Sequence, residues 1–381
     1  MKRKLICLLL AVCLVLTGCG RRRYISVRPH REQRQNARTE AAVAEDSLDL
    51  IRILEEMIRS GTDHGIIFIP EYPDNQVERG MDVAIGYAMN TDPLGAYAVE
   101  DIHYEVGTNA GLPAMAVDIS YRQSAAQLRQ IRNIVSMGEA KPMVEKVLKE
   151  YGDQLVLQAQ MYFDTDFQQM VRDFAESNPE YVMETPQVTV EIYGTGPGRV
   201  VELNFAYQNG RDALRSMQAQ VKPVFDAAAL YVGGSGADRQ KFAQLYAFLM
   251  ERFEYTVETS ITPAYSLLHH GVGDSRAFAT VYAAMCRQAG LECLVVTGTR
   301  SGEPWVWNIV SDNGTYQHVD LLRCSDQGRF REVADRDMGG YVWDYSAYPE
   351  CPVIWSSEAP EETEEAEETA VLDAEKIFEE K

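Results

Sequence analysis

Apolar residues along this 381-residue chain recur with two rhythms, and the switches between them mark out its elements. A three-to-four residue spacing predicts helices at Ser47–Arg59, near Gln76–Met89, at Pro142–Tyr151 and near Phe167–Ala175. A further helix is predicted at Gly236–Phe253, where Phe242, Leu245, Tyr246, Leu249 and Phe253 fall on one face. Strict alternation predicts half-buried strands at His103–Val106, Val117–Arg122, Val190–Tyr193 and Leu203–Gln208. Gly65–Ile69 and Gln154–Gln158 read as short strands. Farther on, Glu254–Val257 is an extended piece. A helix then runs Ser275–Gln288 and stops at Gly290, and Leu294–Thr297 is a buried strand. Trp305–Val310 and Tyr316–Leu322 are two more strands, joined by the turn Asp312-Asn313-Gly314.

The front of the chain repeats itself. Val117–Arg122 and Leu203–Gln208 are alike at a shift of 86 residues. Each is followed by a segment that reads as a helix, with Leu128 and Ile131 in the first and Leu214 and Met217 in the second. His103–Val106 and Val190–Tyr193 correspond at a shift one residue longer, each with a glycine after it. Gly111-Leu112-Pro113 and Gly194–Gly198 punctuate the hairpins. The unit reads α-β-α-β-β-α, twice, and neither copy holds a catalytic cluster.

The two ends change the picture. Lys2, Arg3 and Lys4 precede an apolar run, Leu5–Leu16, which is short against the roughly 20 residues needed to span a bilayer. Leu16-Thr17-Gly18-Cys19 resembles the lipobox of bacterial lipoproteins, and that resemblance implies cleavage before Cys19 and a diacylglyceryl group on its sulfur. Arg21, Arg22, Arg23, Arg28, Arg31, Arg34 and Arg38 then form a basic arm suited to anionic headgroups, each charge worth about 1 kcal/mol near the surface. Ser356–Lys381 is an acidic block that cannot build a core, with a short helix expected near Val371–Glu380. It carries much of the net charge of −21, and no basic stripe tracks a phosphate backbone, so nucleic acid is excluded as a partner. Of seven cysteines, Cys286, Cys293, Cys324 and Cys351 fall in the folded part. Their spacing reads as no metal site, and no cofactor is expected. The pairing expected is Cys324 with Cys351, leaving Cys286 and Cys293 as buried thiols.

The rear segment resembles the transglutaminase-like superfamily, which shares a core with papain-like cysteine peptidases. Gly271-Val272-Gly273-Asp274-Ser275 followed by Ala277-Phe278-Ala279 is similar to the family's Gly-x-Gly-x-Cys and the small and aromatic residues after it. Ala289-Gly290-Leu291-Glu292-Cys293 matches its Ala-Gly-x-x-Cys. Gly302–Asn308 stands where the family has Gly-x-x-His-Ala-Trp-Asn, and His318-Val319-Asp320 matches its His-Val-Asp strand. The resemblance covers about Gly236–Cys351 and implies a nucleophile at the helix start, a base on the next strand and an orienting aspartate on the one after.

At those three positions this chain has Ser275, Trp305 and Asp320. The family's cysteine sits where a helix N-terminus lowers a thiolate pKa. A serine hydroxyl has almost no anion at neutral pH, and it needs a general base. An indole donates one hydrogen bond and accepts no proton. Losing a triad member costs on the order of 10⁴ or more in rate. Trp305 is expected to fill the groove where the histidine would face the cysteine. Asp274 and Ser275 read as helix N-cap residues. Asp320 reads as an acceptor for the Trp305 or Trp307 indole, or for a backbone N–H. His269 and His270 stand five or six residues before Ser275, and His318 stands two before Asp320. Tyr341–Cys351 is aromatic-rich and is expected to pack on the sheet.

The expected fold class is α+β: a duplicated α/β N-terminal region followed by a transglutaminase-like, papain-like domain. The divisions are a signal at 1–18, the lipidated Cys19 and basic arm at 19–45, the duplicated region at 46–230, the rear domain at 231–355 and the acidic tail at 356–381. The expected function is a membrane-anchored extracytoplasmic lipoprotein that binds a peptide, cell-wall or protein ligand without turnover. Its candidate cleft residues are Asp274, Ser275, Trp305, Trp307 and Asp320. Two other readings are a residual serine-based hydrolase or acyl transferase using Ser275, with a base from His269, His270 or His318, and an envelope spacer.

Overall fold

Two short parallel pairings start the two front units, and both units then follow one plan. The computed structural model describes residues 42–232 and 236–353. The lipobox with Cys19, nearly all of the basic arm and the acidic tail lie outside the described residues. In the first unit β1 (Ala42–Val43) leads into α1 (Ser47–Ser60), β2 (His64–Phe68), α2 (Val77–Asn90) and α3 (Pro93–Ala98). The hairpin β3 (Val99–Asn109) and β4 (Leu112–Tyr121) completes it. After the single turn α4 (Ala125–Leu128), the second unit runs β5 (Arg132–Ser136), α5 (Ala140–Glu150), β6 (Gln154–Met161), α6 (Phe167–Ser177), β7 (Gln187–Tyr193) and β8 (Arg199–Ala206). The strand orders are β1-β2-β4-β3 and β5-β6-β8-β7, with the outer pair parallel and the others antiparallel in both.

Four sequence expectations need correction here. Each unit begins with a strand, β1 or β5, so the order is β-α-β-α-β-β in the second and the same in the first with α3 added before β3. The segment around Leu128 and Ile131 is one helical turn followed by β5, whereas its counterpart with Leu214 and Met217 lies in a 22-residue helix. Parallel pairing of β5 with β6 claims residues whose spacing alone suits a helix. The shift between β3 and β7 is also 86 rather than one longer: Tyr104 faces Val117 as Val190 faces Leu203. In the first hairpin the turn residues are Ala110 and Gly111, both at positive φ, and Leu112 and Pro113 already belong to β4.

Burial explains the layering. In the first unit Leu50, Leu54 and Ile58 of α1 and Met81, Ala84 and Ala88 of α2 cover one sheet face. In the second, Val144 and Leu148 of α5 and Val171 and Phe174 of α6 do the same. Tyr97 and Ala98 of α3 pack on Val156 and Val200 at the other face of the second sheet, which joins the units.

The rear domain begins with α7 (Arg211–Val232) and α8 (Asp238–Met250). Next come β9 (Glu254–Tyr255), α9 (Pro263–His270), β10 (Val272–Gly273) and α10 (Ser275–Gln288). The antiparallel sheet follows as β11 (Glu292–Arg300), β12 (Glu303–Asp312) and β13 (Thr315–Val319), then α11 (Leu321–Asp326) and the edge strand β14 (Tyr341–Trp343), in the order β13-β12-β11-β14. Asn313 and Gly314 both take positive φ between paired Asp312 and Thr315, the geometry a two-residue hairpin favours. The strand expected at Tyr316–Leu322 ends at Val319, because the Asp320 carboxylate captures the first N–H groups of α11 and turns the chain into a helix.

One core holds the rear helices and part of the second front unit together. Phe225, Phe242, Leu245, Leu267, Phe278 and Val281 share a cluster with Tyr151 and Met183. Polar contacts reinforce it at α10: Arg276 pairs with Glu176, and Arg287 reaches the Ser177 carbonyl and, at 2.5 Å, Glu180. The opposite face of the rear sheet is covered by the aromatic segment, with Trp307, Ile309, Met338, Tyr341, Trp343 and Cys351 in one cluster. Gly298 lies under β14: an added Cβ would stand 2.3 Å from the Val342 carbonyl and 2.9 Å from the Trp307 ring.

Candidate functional site

Asp274 starts the site. Its carboxylate accepts the Ala277 N–H at 2.9 Å and fixes the N-terminus of α10, which brings Ser275 in as the first helical residue. Ser275 is 9% exposed, and its Oγ accepts the Val306 N–H at 3.3 Å. The helix start is thereby pinned to β12 beside Trp305. From that strand the Trp305 indole N–H donates to Asp320 Oδ2 at 2.9 Å. Tyr341 donates its hydroxyl to the same oxygen at 2.5 Å. Asp320 Oδ1 takes the Leu322 and Arg323 N–H groups at 3.1 and 3.3 Å. Of the three triad-equivalent positions, Trp305 and Asp320 are joined directly through their side chains, and Ser275 is tied to the same strand through the Val306 N–H.

The mouth has an aromatic rim. Tyr255, on β9, tilts against Trp305 with ring centroids 5.7 Å apart and remains half exposed. The Arg300 guanidinium lies 5.0 Å over Trp305 and 5.7 Å over Tyr341, with Nη1 3.6 Å from Asp320. Burial and the Asp320 charge together push the Tyr341 phenol well up, so it stays a proton donor. Tyr341, Arg300 and Tyr255 were not identified from the sequence. The aromatic run around Tyr341 carried a signal for packing, whereas nothing in the local pattern marks an arginine at the end of β11.

Trp307 takes a different partner. Buried in the aromatic cluster against Tyr341, it donates to His318 Nδ1 at 2.9 Å, and His318 Nε2 lies 2.8 Å from Asp335. An indole can only donate, so Nδ1 is the acceptor and Nε2 carries the proton toward Asp335. Asp335, His318 and Cys351 are close enough to suggest a metal, their ligand atoms lying within 4.8 Å of one another. A metal on Nε2 would force the proton onto Nδ1, against the indole donor. Burial and the neighbouring carboxylates of Asp335 and Glu350 also push the Cys351 thiol up to about 12, far from a ligating thiolate. The donor set fits a hydrogen-bonded chain and not a metal.

Other candidates lie apart from Ser275. His269 and His270 are exposed at the end of α9, the first stacked on Tyr265 at 4.7 Å and the second edge-on to it at 5.0 Å, and neither makes a hydrogen bond to Ser275 among the described residues. Asn308 bridges β12 to the Ala279 and Leu294 carbonyls at 2.9 and 3.2 Å, which ties α10 and β11 to the strand bearing Trp305.

The cysteine expectations are corrected. Cys324 and Cys351 are both free thiols. Cys324 lies in the helix-side core and exchanges hydrogen bonds with the Arg331 backbone at 3.3 and 3.4 Å, whereas Cys351 lies in the aromatic cluster on the other face. Cys286 is buried, but Cys293 is only half-buried.

Two consequences can be measured. Asp320→Ala strands two buried ring donors and two cap N–H groups, so it should cost about 3 kcal/mol or more in urea unfolding. Ser275→Ala removes one long hydrogen bond and should cost under about 1.5 kcal/mol. Equal costs would contradict this division of roles. Burial also lowers the His318 pKa from 6.5 despite the opposing pull of Asp335. The unfolded chain then binds more protons below that value, so stability should be full above pH 6.5 and fall as pH drops through the lowered folded value. A His318→Gln variant should lose that part of the acid slope in denaturant midpoints taken from pH 7.5 to 5.

Residues 226–353 match the sequence profile of the transglutaminase-like superfamily. No curated protein matches the sequence. Among solved structures, the chain is similar to a crystal structure of a TGase at 10% identity, covering 44% of this chain and 51% of that one, with a TM-score of 0.25. It is similar to a putative cysteine protease from Cytophaga hutchinsonii at 14% identity, covering 41% and 70%, with a TM-score of 0.25. The periplasmic domain of TgpA from Pseudomonas aeruginosa matches at 18% identity, covering 34% and 55%, with a TM-score of 0.24. The chain thus spans about half the length of the TGase it matches. Residues 226–353, which carry Ser275, Trp305 and Asp320, form a transglutaminase-like superfamily domain.

Proposed function

We propose that this protein is a membrane-anchored extracytoplasmic lipoprotein whose transglutaminase-like domain binds a ligand and does not turn it over. The observation that carries the reading is the hydrogen bond from Trp305 to Asp320. At the position matching the family's base stands a ring that can only donate, and it spends its single proton on the carboxylate that would orient a histidine. Ser275 accepts a backbone N–H, and among the described residues no imidazole hydrogen-bonds to it. A helix N-terminus contributes about 0.3–2 kcal/mol toward an anion, too little to ionise a serine hydroxyl at neutral pH. The half-exposed Tyr255 and the exposed Val342 and Tyr345 supply apolar contact area for a peptide or cell-wall ligand, or for a partner protein. The front half reads as two copies of one unit, a stalk that carries the domain away from the membrane. Leu16-Thr17-Gly18-Cys19 supports lipid attachment at Cys19.

Two experiments test this. The purified chain, incubated with amide and ester acyl donors and amine acceptors, should turn over at the buffer rate, and Ser275→Ala should leave that rate unchanged. Turnover that disappears in the variant would establish the serine enzyme instead. In bacterial cells fed a tagged fatty acid, the chain should take up label and sediment with membranes, and Cys19→Ala should lose both. Label retained in that variant would overturn the anchor.

A further inference from the structure

Three strands of the first unit carry a row of metal-ligand side chains across the sheet. Within β2-β4-β3 the central strand is β4, and its Asp118 stands directly opposite His64 on one side and His103 on the other. Residues paired in this way project to one face of a sheet. The helices cover the opposite face, through Ile67, Ile102, Val117 and Ile119. The row is therefore open to solvent: the side chains of His64 and Asp118 are 60% exposed and that of His103 is 67% exposed. His64 Nδ1 lies 2.7 Å from Asp118 Oδ1. His103 Nε2 lies 3.8 Å from Glu105, the next residue along β3 on that face. The duplication shows that the fold does not ask for these side chains. In the second unit the same three places hold Gln154, Asn204 and Thr189, paired in the same way. They are neutral, and the sheet forms with them. An exposed charge pair adds at most about 1 kcal/mol, so stability alone is a weak reason for the row.

We propose that His64, Asp118 and His103 bind one Zn²⁺ ion on the open face of the first sheet. Two imidazoles and a carboxylate are a donor set that suits zinc. Neighbouring strands lie about 4.8 Å apart, so the two histidines flank Asp118 at that distance on either side. A histidine side chain and a metal bond of about 2 Å cover that span. The ion takes the place of the proton shared by His64 and Asp118, which leaves to solvent. Tetrahedral bonds of that length set ligand atoms about 3.3 Å apart, so the present 2.7 Å contact opens by roughly half an ångström. His103 needs only side-chain rotation to turn from Glu105 toward Asp118, and at its exposure no packing opposes the turn. Water completes the tetrahedron, and the Glu105 charge beside the site favours a cation. The bound ion pins β2 to β3 across β4 and presents an open coordination position to solvent.

The test titrates zinc chloride into the purified full-length chain, freed of metal with a chelator, and reads the heat of binding. One zinc per chain is expected in the tightest step. His64→Ala and His103→Ala should each weaken that step about 100-fold, because losing even a group that only orients a ligand costs about 10–100-fold. Asp118→Asn, which keeps the shape and removes the charge, should weaken it at least about 10-fold. No saturable step would overturn the proposal. So would a step left intact in either histidine variant, which would put the zinc on the cysteines or on other carboxylates. A second measurement needs no variant. In the unaltered chain, zinc should shield His64 and His103 from diethyl pyrocarbonate, while the exposed His269 and His270 stay reactive. Equal modification of all four residues with and without zinc would also overturn it.

Discussion

The rear site is organised around one carboxylate that accepts four hydrogen bonds. Asp320 takes two N–H groups from the start of α11, the Trp305 indole and the Tyr341 hydroxyl, while it is only 4% exposed. Burying a carboxylate in this way is costly unless its oxygens are filled, and here both are. The four donors come from three elements: β12, β14 and the first turn of α11. The carboxylate thus fixes where the strand becomes a helix and how the edge strand lies on the sheet. It also holds the Trp305 indole. In a triad, the same oxygens would steer an imidazole. Here they hold a framework.

That reuse was partly legible beforehand. The helix from Ser275 to Gln288 is read correctly at both ends because each has a local cause, the Asp274 cap and the glycine after Ala289. The Trp305 and Trp307 motif is equally clear as a motif. What could not be read is which indole meets which acceptor. Two residues apart on one strand, Trp305 and Trp307 might each have faced Asp320, and only the register of Ile309 with His318 gives Trp307 its own partner. Arg300 and Tyr341 reach the mouth through strand pairing across the sheet, a distance no periodicity records.

The front half shows a similar limit. Strands that pair locally, as in the two hairpins, are visible as alternation. β5 pairs in parallel with a strand beyond a helix, and its five residues carry too little pattern to outweigh the spacing of Leu128 and Ile131 before it. The cysteines failed for a comparable reason. The expected Cys324–Cys351 bond does not form, because the two thiols belong to different clusters of the rear domain.

Tyr151 and Met183 belong to the second front unit, yet they sit in the core that packs around α10. Arg276 and Arg287 add two clasps along the same helix, one right after Ser275 and one near its end. Residues of the second front unit thus form part of the wall behind the helix that begins with Ser275, so a substitution at Tyr151 or Met183 is felt in the same core as one at Phe278.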